Sequence, residues 1–308
     1  MFNNLRELIA TMPDEKACRD YLIKERWNGV ITCPYCSFEK CYVIENGKRF
    51  KCGNKACYKK FSVTVGTVFE ASNIPLTKWL AALYLATAHK KGISSYQLAR
   101  DLGIAQKSAW FMLHRLRALM SHIPKEKLSG IVEADETYLS RKYRSDYKGL
   151  APEEIDYNLA SKHKSKGAVL GLAQRDGNVI VKAMPDITAN KVWEHINENV
   201  KPVSDLHTDE SFIYRNDEQP YNRQSVNHSK KQWVKGNVHT NNVENFWSVM
   251  KRGVHGIYHQ ISYKHLQRYC DEYAYRYNSR KITDKERFVN SLQQMEGRLT
   301  YKKLIGKE

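Results

Sequence analysis

The spacing of apolar residues along the chain changes three times. Over residues 1–30 it is helical, Leu5, Leu8 and Ile9 followed by Cys18, Tyr21 and Leu22, which predicts a helical lead-in. Residues 31–75 read as short strands and knuckles around CYVIENGKRFKC. Residues 76–122 return to helix: LTKWLAALYLATAHK comes first and SSYQLARDLGIAQKSAWFMLHRLRALM follows. Leu98, Ala99 and Leu102, a turn at Gly103, and a stripe of Ala109, Trp110, Leu113 and Leu116 have the spacing of a helix-turn-helix, although a plain helical hairpin would give the same stripe. From residue 128 to 282 the pattern is mixed α/β. IVEADETYL, GAVLGLAQRDG and NVIVKAMPD are consecutive strands, the last two joined by a tight turn at Asp176-Gly177-Asn178. A helix (TANKVWEHINENV), a short strand ending at Asp209 and an amphipathic helix in HTNNVENFWSVMKRG come next. Residues 283–308 form a C-terminal helical tail, and the basic segment 141–166 reads as an inserted loop, either solvated or serving a polyanion.

Charge narrows the partners. Lys and Arg outnumber Asp and Glu by 50 to 33, a net +17 over 308 residues, which draws the chain to a polyanion. The longest apolar run, WLAALYLATA, is too short to span a bilayer, and no signal sequence opens the chain. The expectation is a soluble cytoplasmic protein that binds nucleic acid and no membrane. An apolar share of 42% argues against global disorder.

Four of the seven cysteines fall in two short pairs, Cys33-Pro-Tyr-Cys36 and Cys52-Gly-Asn-Lys-Ala-Cys57, with 15 residues between them. Two tight turns that each present two thiolates supply the tetrahedral set of one structural Zn²⁺, with no position left open for substrate. Cys41, inside the predicted strand, is a poorer alternative ligand.

Three carboxylates stand in settings that suit metal-dependent phosphodiester chemistry: Asp135 on an apolar strand, Asp209 at the end of another, and Glu244 on the amphipathic helix, with 34 residues between it and Asp209. Phosphoryl transfer needs developing charge neutralised by a pair of divalent cations, and hard cations of that size take oxygen ligands. Strand alternation puts Glu133 beside Asp135 as a possible auxiliary and sends Glu136 to the other face. On the helix, Val243, Phe246, Trp247 and Met250 form the buried stripe, while Glu244, Ser248 and Lys251 form a neighbouring one, so Lys251 can grip a phosphate. Gln106, Lys107 and Arg115 are candidate DNA contacts on the second helix of the helix-turn-helix-like region. Tyr269, Tyr273, Tyr275, Arg276, Tyr277, Asn278 and Arg280 make an aromatic and basic helix that either packs the core or sends arginines to phosphates. His255, His259 and His265 are either DNA contacts or surface residues.

These residues resemble the bacterial DDE insertion-sequence transposases of the zinc-ribbon, ISXO-like group, related to the Merlin elements. The resemblance rests on CPYC and CGNKAC followed by KKFSVTVGTVFEASNIPLTKW, on EADETYL, on HTDES, and on HTNNVENFWSVMKRGVHGIYHQISYKHLQRYCDEYAYRYNSR. It implies an RNase H-like catalytic domain, a mixed five-stranded sheet with helices, preceded by the zinc ribbon and the helix-turn-helix-like domain. It also implies Mg²⁺- or Mn²⁺-dependent cleavage at element ends and transfer of the 3′-hydroxyl to target DNA. Asp135, Asp209 and Glu244 would hold two ions, with Lys251 a further catalytic residue and Arg252 and Arg276 additional DNA contacts. Members of the group carry Glu, Asn or His at the third position, so His239, Asn241 and Asn242 are alternatives to Glu244. Pairing two element ends makes a homo-oligomer on DNA the expected assembly. An RNase H-like nuclease or resolvase without strand transfer, and a domesticated DNA-binding regulator, are the other readings.

Overall fold

The computed structural model of the chain describes residues 2–121, 124, 126–139, 167–216 and 218–307. It divides into two compact units, Met1–Ser121 with Ser279–Glu308, and His122–Asn278.

The first unit opens with α1 (Leu5–Thr11) and α2 (Glu15–Trp27), capped by the side chains of Asn4 and Asp14 on the amides of Glu7 and Ala17. A small antiparallel sheet follows, β1 (Cys41–Ile44), β2 (Arg49–Cys52) and β3 (Lys60–Phe61), in the order β1-β2-β3. The longest apolar run becomes α3 (Leu76–Ala88), buried over most of its circumference by Trp79, Leu80, Ala82 and Leu83, as a core helix rather than a membrane segment should be. Among the described residues no helix is long and apolar enough to cross a membrane. Two shorter helices, α4 (Ser95–Leu102) and α5 (Gln106–Ala118), flank Gly103, whose left-handed conformation (φ 58°, ψ 52°) closes the first of them and turns the chain. The C-terminal segment belongs to this unit: Val68 N donates to Met295 O at 2.9 Å, Gly297 N donates to Gly66 O at 2.8 Å, and Arg26 pairs with Glu296 at 2.8 Å.

The second unit is a five-stranded mixed sheet between two helical layers, the RNase H-like architecture. Its strands are β4 (Ile131–Tyr138), β5 (Ala168–Gln174), β6 (Val179–Met184), β7 (Asp205–Thr208) and β8 (Asn222–Ser225), in the order β6-β5-β4-β7-β8. The β5–β4 and β6–β5 pairs are antiparallel, and β4–β7 and β7–β8 are parallel. Helix α6 (Ala189–Asn199) carries the chain from β6 to β7 and buries Val192, Trp193 and Ile196 on Val132, Ala134, Leu170 and Leu172. The opposite face packs α7 (Asn241–Gly253) and α8 (Tyr263–Asn278) through Val243, Phe246, Trp247, Met250 and Tyr273 on Val169, Ala173 and Val181. Because both faces are covered, the central strands are apolar on both sides, and an acid at an odd-numbered position of β4 must face α7. The segment 141–166 lies outside the described residues.

Candidate active site

The acids of β4 and β7 are brought level by the parallel register. Glu133 pairs with His207, so two residues further on Asp135 stands beside Asp209, which is the first residue past the end of β7. Neighbouring strands run about 4.8 Å apart, so this register alone gathers two carboxylates, one within β4 and one just past the carboxyl end of β7.

Helix α7 is set against β4 by two contacts. The first is Glu133, fully buried, whose carboxylate accepts from Asn242 N at 2.7 Å, Asn242 Nδ2 at 2.8 Å, Val243 N at 3.2 Å and Arg175 Nε at 3.0 Å. His239 Nδ1 lies 3.2 Å from the same carboxylate. The acid thus caps the helix N-terminus and neutralises the arginine, and it is spent on structure. The second contact is Trp247, whose Nε1 donates to Asp135 Oδ2 at 2.9 Å. Its ring reaches that carboxylate by lying over Gly171, the β5 partner of Asp135. A Cβ at Gly171 would fall 2.5 Å from Trp247 Cζ2, so only glycine admits the indole.

With the helix so placed, Asp135, Glu136, Thr137, Glu244, Trp247, Ser248, Lys251, Arg252 and His255 line one cavity of about 690 Å³. Thr240 Oγ1 donates to Glu244 Oε1 at 2.6 Å, and Tyr214 OH donates to Glu136 Oε2 at 2.6 Å. Asp209 is outside that lining but accepts from Ser211 N at 3.0 Å, and its charge acts on both Asp135 and Glu136. Burial, then the charges of Glu136 and Asp209, and more weakly that of Glu244, push the Asp135 carboxyl up to about 7. Burial and Asp209 raise Glu136 too, against the Tyr214 hydrogen bond. A mutually repelling set of oxygen donors beside a lysine and an arginine suits hard divalent cations with a phosphate. Of the alternatives at the third position, Asn242 and His239 face Glu133, and Asn241 donates its backbone N–H to His239 Nδ1 at 3.3 Å; Glu244 is the one that lines the cavity.

In the small sheet, the Sγ atoms of Cys33, Cys36, Cys52 and Cys57 all lie within 4.8 Å of one another, the one such group among the described residues. Cys33 and Cys57 are 3.8 Å apart and Cys36 and Cys52 3.6 Å. A tetrahedron with Zn–S bonds of about 2.3 Å has edges of about 3.8 Å, so the quartet fits one structural zinc. Cys41 lies outside that quartet, with its Sγ on Phe38 O at 3.4 Å.

Two predicted DNA contacts are corrected. Arg115 is 3% exposed; its guanidinium lies over Trp79 and Phe111 and donates to Glu70 O at 2.6 Å, so it serves the core of the first unit. Arg276 pairs with Glu272 at 2.7 Å with both side chains buried, which leaves no charge for a phosphate, and the Tyr269, Tyr273 and Tyr275 bodies around it pack the core. Lys107 is exposed at the start of α5, and Gln106 beside it donates Nε2 to Ser95 Oγ at 2.8 Å. Lys251 and Arg252 are exposed at the cavity, where His255 joins them, while His265 is buried. Sequence reasoning missed Trp247 as the orienter of Asp135, Tyr214 as the partner of Glu136, and Arg175 as the cation of Glu133. A tryptophan one helical position from a catalytic stripe carries a signal in hindsight, since its N–H needs a buried acceptor.

Residues 127–278 match the ISXO2-like transposase domain and residues 13–60 the transposase zinc-ribbon domain. A protein of Halobacterium salinarum, described as an uncharacterized protein in transposable element ISH50, is 27% identical over 260 residues, covering 79% of this chain and 84% of that protein. A transposase zinc ribbon followed by an RNase H-like transposase domain is the domain order of DDE-type transposases. The chain belongs to the ISXO2-like, zinc-ribbon transposases.

Proposed function

We propose that the chain is the transposase of an insertion sequence, which binds the element's ends, cleaves DNA strands there and joins the freed 3′-hydroxyls to target DNA. The observation that carries this reading is the cavity in which Asp135, Glu136 and Glu244 meet Lys251 and Arg252, with the charge of Asp209 raising both Asp135 and Glu136. A pair of divalent cations, Mg²⁺ or Mn²⁺, supplies the polarisation of attacking and leaving oxygens that in-line phosphoryl transfer needs. Asp135, Asp209 and Glu244 are the residues to hold them. Trp247 fixes the rotamer of Asp135, and Thr240 that of Glu244. Lys251 and Arg252 pair with the phosphates on either side of the reacting one. Gln106 and Lys107 contact DNA from the first turn of α5, and the pairing of two ends calls for more than one copy of the chain.

The test uses DNA carrying both ends of the element that encodes the chain, with cleaved and joined products resolved separately and Mn²⁺ binding measured alongside. Asp135→Asn and Asp209→Asn should lose cleavage by orders of magnitude and weaken Mn²⁺ binding while DNA binding persists; Lys251→Ala should be milder. Full cleavage by Asp135→Asn would remove the mechanism, and cleavage without joining would favour a nuclease or resolvase.

A further inference from the structure

The segment between β8 and α7 is exposed at every residue from Ser229 to Asn237, yet it is held at both ends. Glu210, next to Asp209, accepts from His228 N at 2.9 Å, Ser229 N at 3.0 Å and Ser229 Oγ at 2.6 Å. At the far end Asn237 Oδ1 accepts from Arg175 Nη1 at 2.6 Å, the arginine that also pairs with Glu133. Between these anchors Asn227 bridges Gln232, and Lys231 takes a left-handed turn at φ 55°. The loop is thus a built projection, tied at one end beside Asp209 and at the other to the arginine of Glu133.

Just beyond that bridge Trp233 is 56% exposed, beside Val234 at 50% and the exposed Lys230, Lys231 and Lys235. The indole stands 4.6 Å, centroid to centroid, from the His228 ring, and His228 Nε2 is 3.9 Å from Glu244 Oε1. One imidazole therefore separates the tryptophan from the cavity. An aromatic face in water among lysines has the composition of a stacking platform for nucleic acid. Bases inside a duplex already have both faces covered, so such a platform takes a base that has left the stack.

We propose that residues 227–237 form a nucleotide-stacking arm: Trp233 takes the face of an unpaired base flanking the phosphate held in the cavity, and Lys230, Lys231 and Lys235 hold the neighbouring phosphates. The inference rests on the cavity being the strand-cleaving site, and it assigns that site a substrate whose end is unpaired.

The experiment uses the full chain in EDTA, so that binding is read without chemistry. Labelled oligothymidylate and a blunt duplex serve as probes, with anisotropy reporting affinity and tryptophan emission reporting stacking. Oligothymidylate should quench the wild-type emission, and Trp233→Phe should lose most of that quench while still binding. Trp233→Ala should weaken oligothymidylate binding roughly 5- to 150-fold and leave the blunt duplex unchanged. An equal quench in Trp233→Phe, or an equal loss for both probes in Trp233→Ala, overturns the arm. Because no cleavage is read, loss of the quench in Trp233→Phe would uphold the arm even if Asp135→Asn proved fully active and the nuclease reading fell.

Discussion

Glu133 is the side chain that fixes the N-terminus of α7 on β4. Its carboxylate is 0% exposed and serves four donors on three residues, two of them backbone amides in the first turn of α7. Glu133→Ala leaves the half-buried Arg175 beside a void, with its other contacts on His207 Nδ1 at 3.2 Å, His239 O at 3.4 Å and Asn237. Removing one partner of a buried, hydrogen-bonded pair costs about 3–5 kcal/mol, of which the lost helix cap is about 1. Glu133→Gln keeps one acceptor oxygen but turns an amide toward donors, so about 1–3 kcal/mol is expected. Native-state hydrogen exchange of the full chain reads this locally. The amides of Asn242, Val243 and Phe246 should exchange roughly 10²- to 10³-fold faster in Glu133→Ala, and those of α3 in the other unit should not change. Cleavage should fall with α7, because the same helix carries Glu244, whereas Mn²⁺ affinity in Glu133→Gln should be close to wild type. Unchanged α7 exchange in Glu133→Ala, together with lost Mn²⁺ binding in Glu133→Gln, would make Glu133 a metal ligand and refute its role as a clamp.

Two other outcomes are expected. Purified protein should carry about one zinc per chain, lost on changing Cys33, Cys36, Cys52 or Cys57 to Ser and retained in Cys41→Ser, as metal analysis would read; binding should weaken as pH falls, because protons compete for the thiolates. Burial and neighbouring acids raise Asp135 from the ordinary 3.8 to about 7, so its contribution to metal-free stability is complete below the lower value and is lost as pH rises through the upper one. Metal-free Asp135→Asn should therefore melt above wild type at pH 8 and level with it near pH 4, and Mg²⁺ should raise the melting temperature of wild type alone; a lower melting temperature for the variant at pH 8 contradicts the crowding of charge.

Much of this was legible where a local rule decides the outcome. Paired cysteines at knuckle spacing come together as four ligands, and the stripe Val243, Phe246, Trp247 and Met250 is buried as its period requires. The turn expected at Asp176-Gly177 forms with Asp176 at φ 55°. What escaped depends on pairing across the chain or on an exception to a statistical habit. The sequence of β8, NRQS, has no apolar alternation; it is a strand because β7 offers it a parallel edge, and nothing local signals that. The clamp at Glu133 joins residues 109 positions apart. Arg115 and Arg276 were expected at phosphates because arginine on a helix usually faces water. Both are instead spent inside their units: Arg115 over Trp79 and Phe111, and Arg276 on Glu272, whose i, i+4 spacing was readable in advance.

The second unit holds several buried or half-buried acids, and burial alone does not say which ones do chemistry. Glu133 and Glu272 each have an arginine, Arg175 and Arg276. Asp271 is pushed up to about 6 by burial, but the charges around it are those of Lys182 and Arg268, which act to lower it, and Gln267 donates to it at 2.7 Å. Asp135 differs in the sign of its surroundings, because the charges that shift it are those of the carboxylates Glu136, Asp209 and Glu244, and its hydrogen-bond donors, Trp247 Nε1 and the Glu136 backbone, are neutral. Among the described residues neither Asp135, Glu136, Asp209 nor Glu244 forms an ion pair with a lysine or arginine. Folding that places acids against acids and withholds arginine gives up stability at that point, and on the proposed function an incoming divalent cation would recover it in proportion to the repulsion stored there. The criterion that separates the candidate site from the other buried acids is thus the charge of the neighbours, and it selects Asp135 with Glu136, Asp209 and Glu244 while setting Glu133 aside.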